Sequence, residues 1–96
     1  MAFVRLAFFP NGTEEQYRVL ARAMASPLRP QGRLAFATGP VTGGWQVVQI
    51  WRSRAELDAF NAAYLLPTLA QLGNTGFPEA PRVIDFEPVD LATSSD

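Results

Sequence analysis

Short apolar runs separated by turn residues set the pattern of this chain. Phe3–Phe9 is apolar and rich in β-forming residues, and Pro10, Asn11 and Gly12 stop it, which predicts a strand ending in a tight turn. Thr13-Glu14-Glu15-Gln16 has the order of a capping box, in which Gln16 reaches back to the residue that caps the helix. Tyr17, Leu20, Ala21 and Met24 follow at i, i+3, i+4 and i+7, one apolar stripe on a helix that Ser26-Pro27 and Pro30-Gln31-Gly32 bring to an end. Leu34–Thr38 reads as a short strand, Gly39–Gly44 as a hairpin connection and Trp45–Trp51 as the returning strand.

Ser53-Arg54-Ala55-Glu56 repeats the capping-box order, and Leu57, Phe60 and Tyr64 carry helical spacing. Pro67 is expected to end or kink this helix, with an extra turn over Thr68–Leu72 closed by Gly73. Asn74–Pro81 reads as loop, Arg82–Val89 as the last strand and Leu91–Asp96 as a frayed tail. The order strand, helix, strand, strand, helix, strand predicts an α+β, ferredoxin-like βαββαβ domain over residues 1–90. Its four-stranded antiparallel sheet would carry the helices on one face.

Alternation divides the strands into two faces. Val4, Leu6, Phe8, Val48, Ile50, Ile84 and Phe86 share one; Phe3, Arg5, Ala7, Phe9, Trp45, Val47, Gln49, Trp51, Val83, Asp85 and Glu87 share the other. Neither is polar enough to face water, so whichever face the helices leave open predicts a homodimer, sheet against sheet.

Composition supports a covered surface, since only 18% of residues are charged while 48% are hydrophobic; an average soluble domain is about 25% charged. There is no Cys, His or Lys, and all 8 basic residues are Arg. That removes disulfides, thiol nucleophiles and zinc–thiolate sites, Ser–His catalysis and histidine ligation of haem, and lysine Schiff bases. A net charge of −1 with no basic run argues against nucleic acid, and no apolar run reaches the roughly 18–20 residues that span a bilayer. With no signal-peptide layout at Met1–Pro10, a cytoplasmic protein without metal or organic cofactor is expected.

The run Gly43-Gly44-Trp45-Gln46-Val47-Val48-Gln49-Ile50-Trp51-Arg52-Ser53, continued by Glu56-Leu57-Asp58-Ala59-Phe60, resembles the dimeric α+β-barrel superfamily, and within it the antibiotic-biosynthesis monooxygenase-like proteins. Tryptophan, a variable residue, then serine leading into an acidic amphipathic helix is their recurrent strand-to-helix join. Asn11-Gly12-Thr13 and Glu87-Pro88-Val89 fit the same pattern. The resemblance implies a ligand pocket between sheet and helices. It also implies chemistry of the kind found in cofactor-free monooxygenases of aromatic polyketides, small isomerases, cyclases and decarboxylases, or haem degraders. The haem-degrading branch fails residue by residue: its first-strand asparagine falls on Arg5, its second-helix tryptophan on Phe60 and its haem-ligating histidine near Ala70.

By that resemblance the mixed face lines the pocket, which makes Arg5 the candidate to hold a substrate oxyanion or enolate. Its structural alternative is a cross-strand ion pair with Asp85, or a place at the dimer seam. Asp85 is the candidate base, its carboxyl raised by burial, and Tyr64 a candidate acid or hydrogen-bond donor; a core tyrosine is the plainer reading of Tyr64. Trp45, Gln49 and Trp51 would form an aromatic wall with one orienting amide, joined by Phe60 and Tyr17 as substrate-binding residues, unless the aromatics simply fill the core. Two functions follow. One is a cofactor-independent enzyme on a planar aromatic or polyketide-like substrate, monooxygenase-type or cyclase/isomerase; the other is a non-catalytic dimer that binds a small ligand or serves as an accessory protein.

Overall fold

In the computed structural model, which describes residues 1–27 and 29–92, the chain runs β1 (Phe3–Pro10), α1 (Glu14–Met24), β2 (Arg33–Val41), β3 (Gly44–Trp51), α2 (Arg54–Phe60), α3 (Leu66–Leu72) and β4 (Arg82–Phe86). A π-helical turn, Asn61–Leu65, joins α2 to α3. One antiparallel sheet has the order β2-β3-β1-β4, so β1 and β3 are central and β2 and β4 are edges. This is the expected ferredoxin-like α+β arrangement. Of the expected tail, residues 93–96 lie outside the described residues.

The cross-strand register converts the alternation into rows. Phe36, Gln49, Arg5 and Asp85 stand in one row across all four strands, and Thr38, Val47, Ala7 and Val83 in the next. Both rows lie on the face that the helices cover. There Phe3, Trp51, Leu57 and Phe60 form one buried cluster, and Ala7, Trp45 and Val47 a second, capped by Tyr17, Phe9 and Phe77. The opposite face carries the rows Ala35–Ile50–Val4–Phe86 and Ala37–Val48–Leu6–Ile84. No helix among the described residues covers it, and Ile84 is 62% exposed and Phe86 48% exposed.

α1 begins as its sequence dictates. Thr13 Oγ1 accepts from the Gln16 N–H at 3.2 Å while Gln16 Oε1 accepts from the Thr13 N–H at 2.9 Å. Thr13→Ala removes the hydroxyl that satisfies an otherwise orphan N–H, and a loss of about 1 kcal/mol is expected in urea unfolding. The second box forms only in half. Ser53 Oγ accepts from the Glu56 N–H, but the Glu56 carboxylate pairs with Arg52 and takes the Ser53 hydroxyl instead of reaching back to the cap N–H.

Three boundaries differ from expectation. β2 continues through Gly39, Pro40 and Val41, leaving only Thr42-Gly43 as the turn, with Gly43 at φ 86°. A proline is tolerated there because β2 is an edge strand and its outer N–H groups need no ladder partner. Pro67 does not end its helix, because the π turn widens the backbone just before it; the Leu66 N–H bonds to the Asn61 carbonyl, five residues back. β4 stops at Phe86 rather than Val89, with Pro88 two residues beyond.

Candidate functional site

Between the sheet and the helices lies a cavity of about 840 Å³. Its floor is the helix-covered sheet face: Arg5, Ala7 and Phe9 from β1, Val47 and Gln49 from β3, Phe36 from β2 and Val83 from β4. Tyr17, Leu20 and Met24 of α1 form one wall, and Phe60, Asn61 and Leu65 at the α2–α3 junction another. Phe77, from the loop before β4, stacks on Phe9 with ring centroids 4.1 Å apart and closes one end. Most of the lining is therefore apolar and aromatic, with a few polar groups converging from the sheet, the usual make-up of a small-molecule site.

Arg5 lies in the cavity lining and is also paired. Its Nε donates to Asp85 Oδ1 at 2.8 Å and its Nη2 to Asp85 Oδ2 at 2.9 Å, a bidentate fork across neighbouring strands. The hydrogen bonds to Arg5 hold the Asp85 carboxyl below the ordinary carboxylate range, against a smaller opposing effect of burial, and raise the guanidinium in return. This corrects the expectation of a raised Asp85. The carboxylate is a poor proton acceptor here, and it stands beside the cavity rather than in its lining.

The sign of the pH effect follows. A carboxyl whose folded pKa lies below its unfolded value of about 3.9 contributes stability that is complete above that pH. The contribution is lost as pH falls through the folded value. Urea unfolding from pH 6 downward is expected to fall more steeply below about pH 4 in the native chain than in Asp85→Asn.

Of the other sequence candidates, Gln49, Phe60 and Tyr17 line the cavity, whereas Trp45, Trp51 and Tyr64 do not. Trp51 is wholly buried beneath Phe60, and its Nε1 donates to Gln49 Oε1 at 3.0 Å. Trp45 sits one layer behind the wall, stacked under Tyr17 at 5.3 Å. Its Nε1 is buried with no hydrogen-bond partner among the described residues, a cost of about 1–3 kcal/mol left uncompensated. Tyr64 packs on the far side of Phe60, with centroids 5.1 Å apart, in a separate shallow hollow with Pro27, Pro30 and Ala63.

The site also contains a residue that sequence reasoning missed. Arg33, at the start of β2, lines the cavity with its guanidinium 4.4 Å from the Phe36 ring centroid and 5.9 Å from that of Phe60. Desolvation lowers its pKa, so this cation is held partly out of water. Arg33 and Phe36 are three positions apart and would face opposite ways in a regular strand. The bulge between Arg33 and Ala35 inserts Leu34 as an extra residue, which turns Arg33 to the cavity side, opposite Trp51.

The sequence matches no family model and no curated protein. Solved structures do match. One is Rv0793 from Mycobacterium tuberculosis, at 24% identity over 97% of this chain and 100% of that one, with a TM-score of 0.73. A second is SnoaB, a cofactor-independent oxygenase from Streptomyces nogalater, at 15% identity over 97% of each chain and a TM-score of 0.65. An antibiotic biosynthesis monooxygenase is a third, at 21% identity over 94% of this chain and 100% of that one, with a TM-score of 0.61. With element order, sheet topology and near-complete coverage in agreement, this chain has the subunit fold of the antibiotic-biosynthesis monooxygenase-like α+β-barrel proteins.

Proposed function

We propose that the protein is a cofactor-independent enzyme that oxygenates, or otherwise transforms through an enolate, a planar aromatic substrate held in the cavity. The observation that carries this reading is the cavity itself: about 840 Å³, walled by Tyr17, Phe36, Phe60 and Phe77, with the Arg5 guanidinium on its floor. A flat ring system fits such walls by stacking. Its phenol or enol ionises more readily beside Arg5, because the guanidinium N–H groups that the Asp85 fork leaves over can donate to the anion. Among the described residues that line the cavity there is no aspartate, glutamate, histidine, cysteine or lysine, so in this reading electrostatic stabilisation of the substrate anion bears more of the work than a strong base.

In the monooxygenase-type reaction a ring methylene loses a proton, and the carbanion passes its electrons to dioxygen. A carbon–oxygen bond forms, and loss of water from the hydroperoxide leaves a ketone. One substrate and one dioxygen thus give one quinone-type product and one water. The likeness to SnoaB, a cofactor-independent oxygenase, supports this version.

An oxygen electrode with a hydroxylated anthrone as substrate tests it. The expected result is enzyme-dependent oxygen uptake matched one for one by quinone absorbance, cut tenfold or more by Arg5→Gln. The lack of a carboxylate base among the described residues of the lining favours a second reading, a ligand-binding module. Binding of the anthrone as its anion, seen as a red-shifted spectrum without oxygen uptake or product, would decide for that reading.

The second part of the proposal is a homodimer formed through the helix-free sheet face. Val4, Leu6, Phe8, Val48, Ile50, Ile84 and Phe86 make that face apolar. A contiguous apolar surface of this kind in a water-soluble domain marks an interaction site. A second copy of the same sheet would match it strand for strand.

A further inference from the structure

We infer that Phe77 sets the length of the ring system that the cavity accepts. It is the stop against which the apolar end of an aromatic substrate is seated, with the substrate's ionisable oxygen toward Arg5. The inference deepens the proposed aromatic site and rests on it.

The cavity has a direction, which the strand register makes visible. Its floor changes character from row to row along the strands. Gln49 and Arg5 stand in one row, Val47, Ala7 and Val83 in the next, and Phe9 beyond them. The other cations of the lining, among the described residues, belong to the first end: Arg33 opens β2 opposite Trp51, and Arg29 lies in the loop just before it. α1 runs beside the same axis. Tyr17 packs on the cluster of Ala7, Trp45 and Val47, whereas Met24, about two turns on, packs on the cluster of Phe3 and Trp51. Positive charge is thus gathered at one end, and the other is closed by aromatic rings. A ligand with one hydroxyl and a hydrocarbon body lies along β1 with its oxygen toward Arg5. The reverse orientation would bury the hydroxyl against Phe9 and Phe77, which offer it no hydrogen bond.

At the closed end the Phe77 ring is held on several sides. It stacks on Phe9 with centroids 4.1 Å apart. The backbone of Gly12 lies against it: a Cβ at Gly12 would stand 2.9 Å from two carbons of the Phe77 ring and 3.0 Å from Trp45 Cβ. That is inside the roughly 3.5–4.0 Å at which carbon atoms pack, so no gap separates ring from backbone. Gly12 is itself tied, its N–H donating to the Phe9 carbonyl at 3.0 Å. The segment that carries Phe77 is fastened two residues to either side. Thr75 Oγ1 donates to the Leu72 carbonyl at 2.8 Å, and Glu79 Oε2 accepts from Asn11 Nδ2 at 2.6 Å. A ring held in this way acts as a wall of fixed position. Arg5 and Phe9 are four residues apart on β1, about 13 Å, and Phe77 occupies the far end of that span. A ligand longer than the remaining space must displace Phe77 or give up its place beside Arg5.

Fluorescence titration with 2-naphthol, 6-methyl-2-naphthol and 6-phenyl-2-naphthol tests this, because the 6-substituent extends the molecule away from its hydroxyl. The native chain is expected to bind the first two within about threefold of each other and the phenyl compound at least roughly tenfold more weakly, the order of an overpacked contact. In Phe77→Ala the phenyl compound should bind within about threefold of 2-naphthol, whose own affinity stays the same and so reports a folded chain with an intact floor. Met24→Ala enlarges the opposite end, and there the phenyl compound should remain excluded. Should Phe77→Ala fail to fold, Phe77→Leu shortens the same side chain and is expected to shift the balance in the same direction. Equal binding of all three naphthols by the native chain would overturn the inference and leave the aromatic site standing. So would continued exclusion of the phenyl compound from the Phe77 variants, its admission by Met24→Ala, or loss of 2-naphthol from a folded Phe77 variant. If the native chain does not bind 2-naphthol, the aromatic site falls and this inference falls with it.

Discussion

Ile84→Asp is expected to turn the proposed dimer into a folded monomer, raising the dissociation constant by a factor of about a thousand or more. Ile84 is 62% exposed in the single subunit and stands in the row Ala37–Val48–Leu6–Ile84 of the helix-free face. An aspartate there meets water in the monomer, where surface substitutions usually change stability by only about 0.5 kcal/mol. In a two-fold interface each copy would instead bury an unpaired carboxylate, and placing like charges against each other costs several kcal/mol. Every 1.4 kcal/mol is a tenfold change in affinity. Leu66→Asp is the control: Leu66 is 59% exposed but belongs to the helical layer, so the dimer should survive. Sedimentation velocity on the three proteins, with circular dichroism to confirm folding, measures both effects. A native chain that sediments as a monomer at micromolar concentration would remove the sheet-to-sheet dimer.

That prediction rests on the feature most legible in the sequence, the period of two along the strands. Alternation assigned Arg5, Gln49 and Asp85 to one face and Val4, Leu6 and Phe8 to the other, and the register places them so. The Arg5–Asp85 pair was legible as an alternative to a catalytic role, because both residues lie on that face in strands expected to be neighbours. Depth was not legible. Trp45, Gln49 and Trp51 do share a face, but periodicity gives a side chain's direction and not its distance from the cavity. The two indoles lie in the core, and the smaller amide lies in the cavity lining.

Arg33 was missed for a related reason. It precedes the run Leu34–Thr38 and follows Pro30-Gln31-Gly32, so it reads as the end of a loop. Even with the strand extended to include it, strict alternation sends it to the wrong face. Only the bulge, set by pairing with β3 and invisible within β2 itself, reverses that. The proline errors have the same origin. Pro40 is a breaker in isolation and harmless on a sheet edge, and Pro67 is a helix end until a π turn makes room for it.

Trp51→Ala is expected to lower stability by about 3–5 kcal/mol, the range for emptying an aromatic site in a core. Trp51 is wholly buried between Phe3, Leu57 and Phe60, the cluster that fastens α2 to the sheet. For a domain of this size, with roughly 5–15 kcal/mol in total, that is a large share; each kcal/mol is worth about 4–8 °C in melting temperature. A fall of about 12 °C or more in a thermal melt is expected, and a shift below about 4 °C would show that α2 is held by other contacts. Trp51→Phe should cost much less, because a ring still fills most of the space. Its effect on the proposed reaction is more informative. Without the indole N–H, the Gln49 oxygen loses the hydrogen bond that faces it away from the cavity, and the amide can turn to present an acceptor beside Arg5. An acceptor there disfavours a substrate anion, so oxygen uptake with the hydroxylated anthrone should fall several-fold. An unchanged rate would mean that Gln49 keeps its orientation without Trp51.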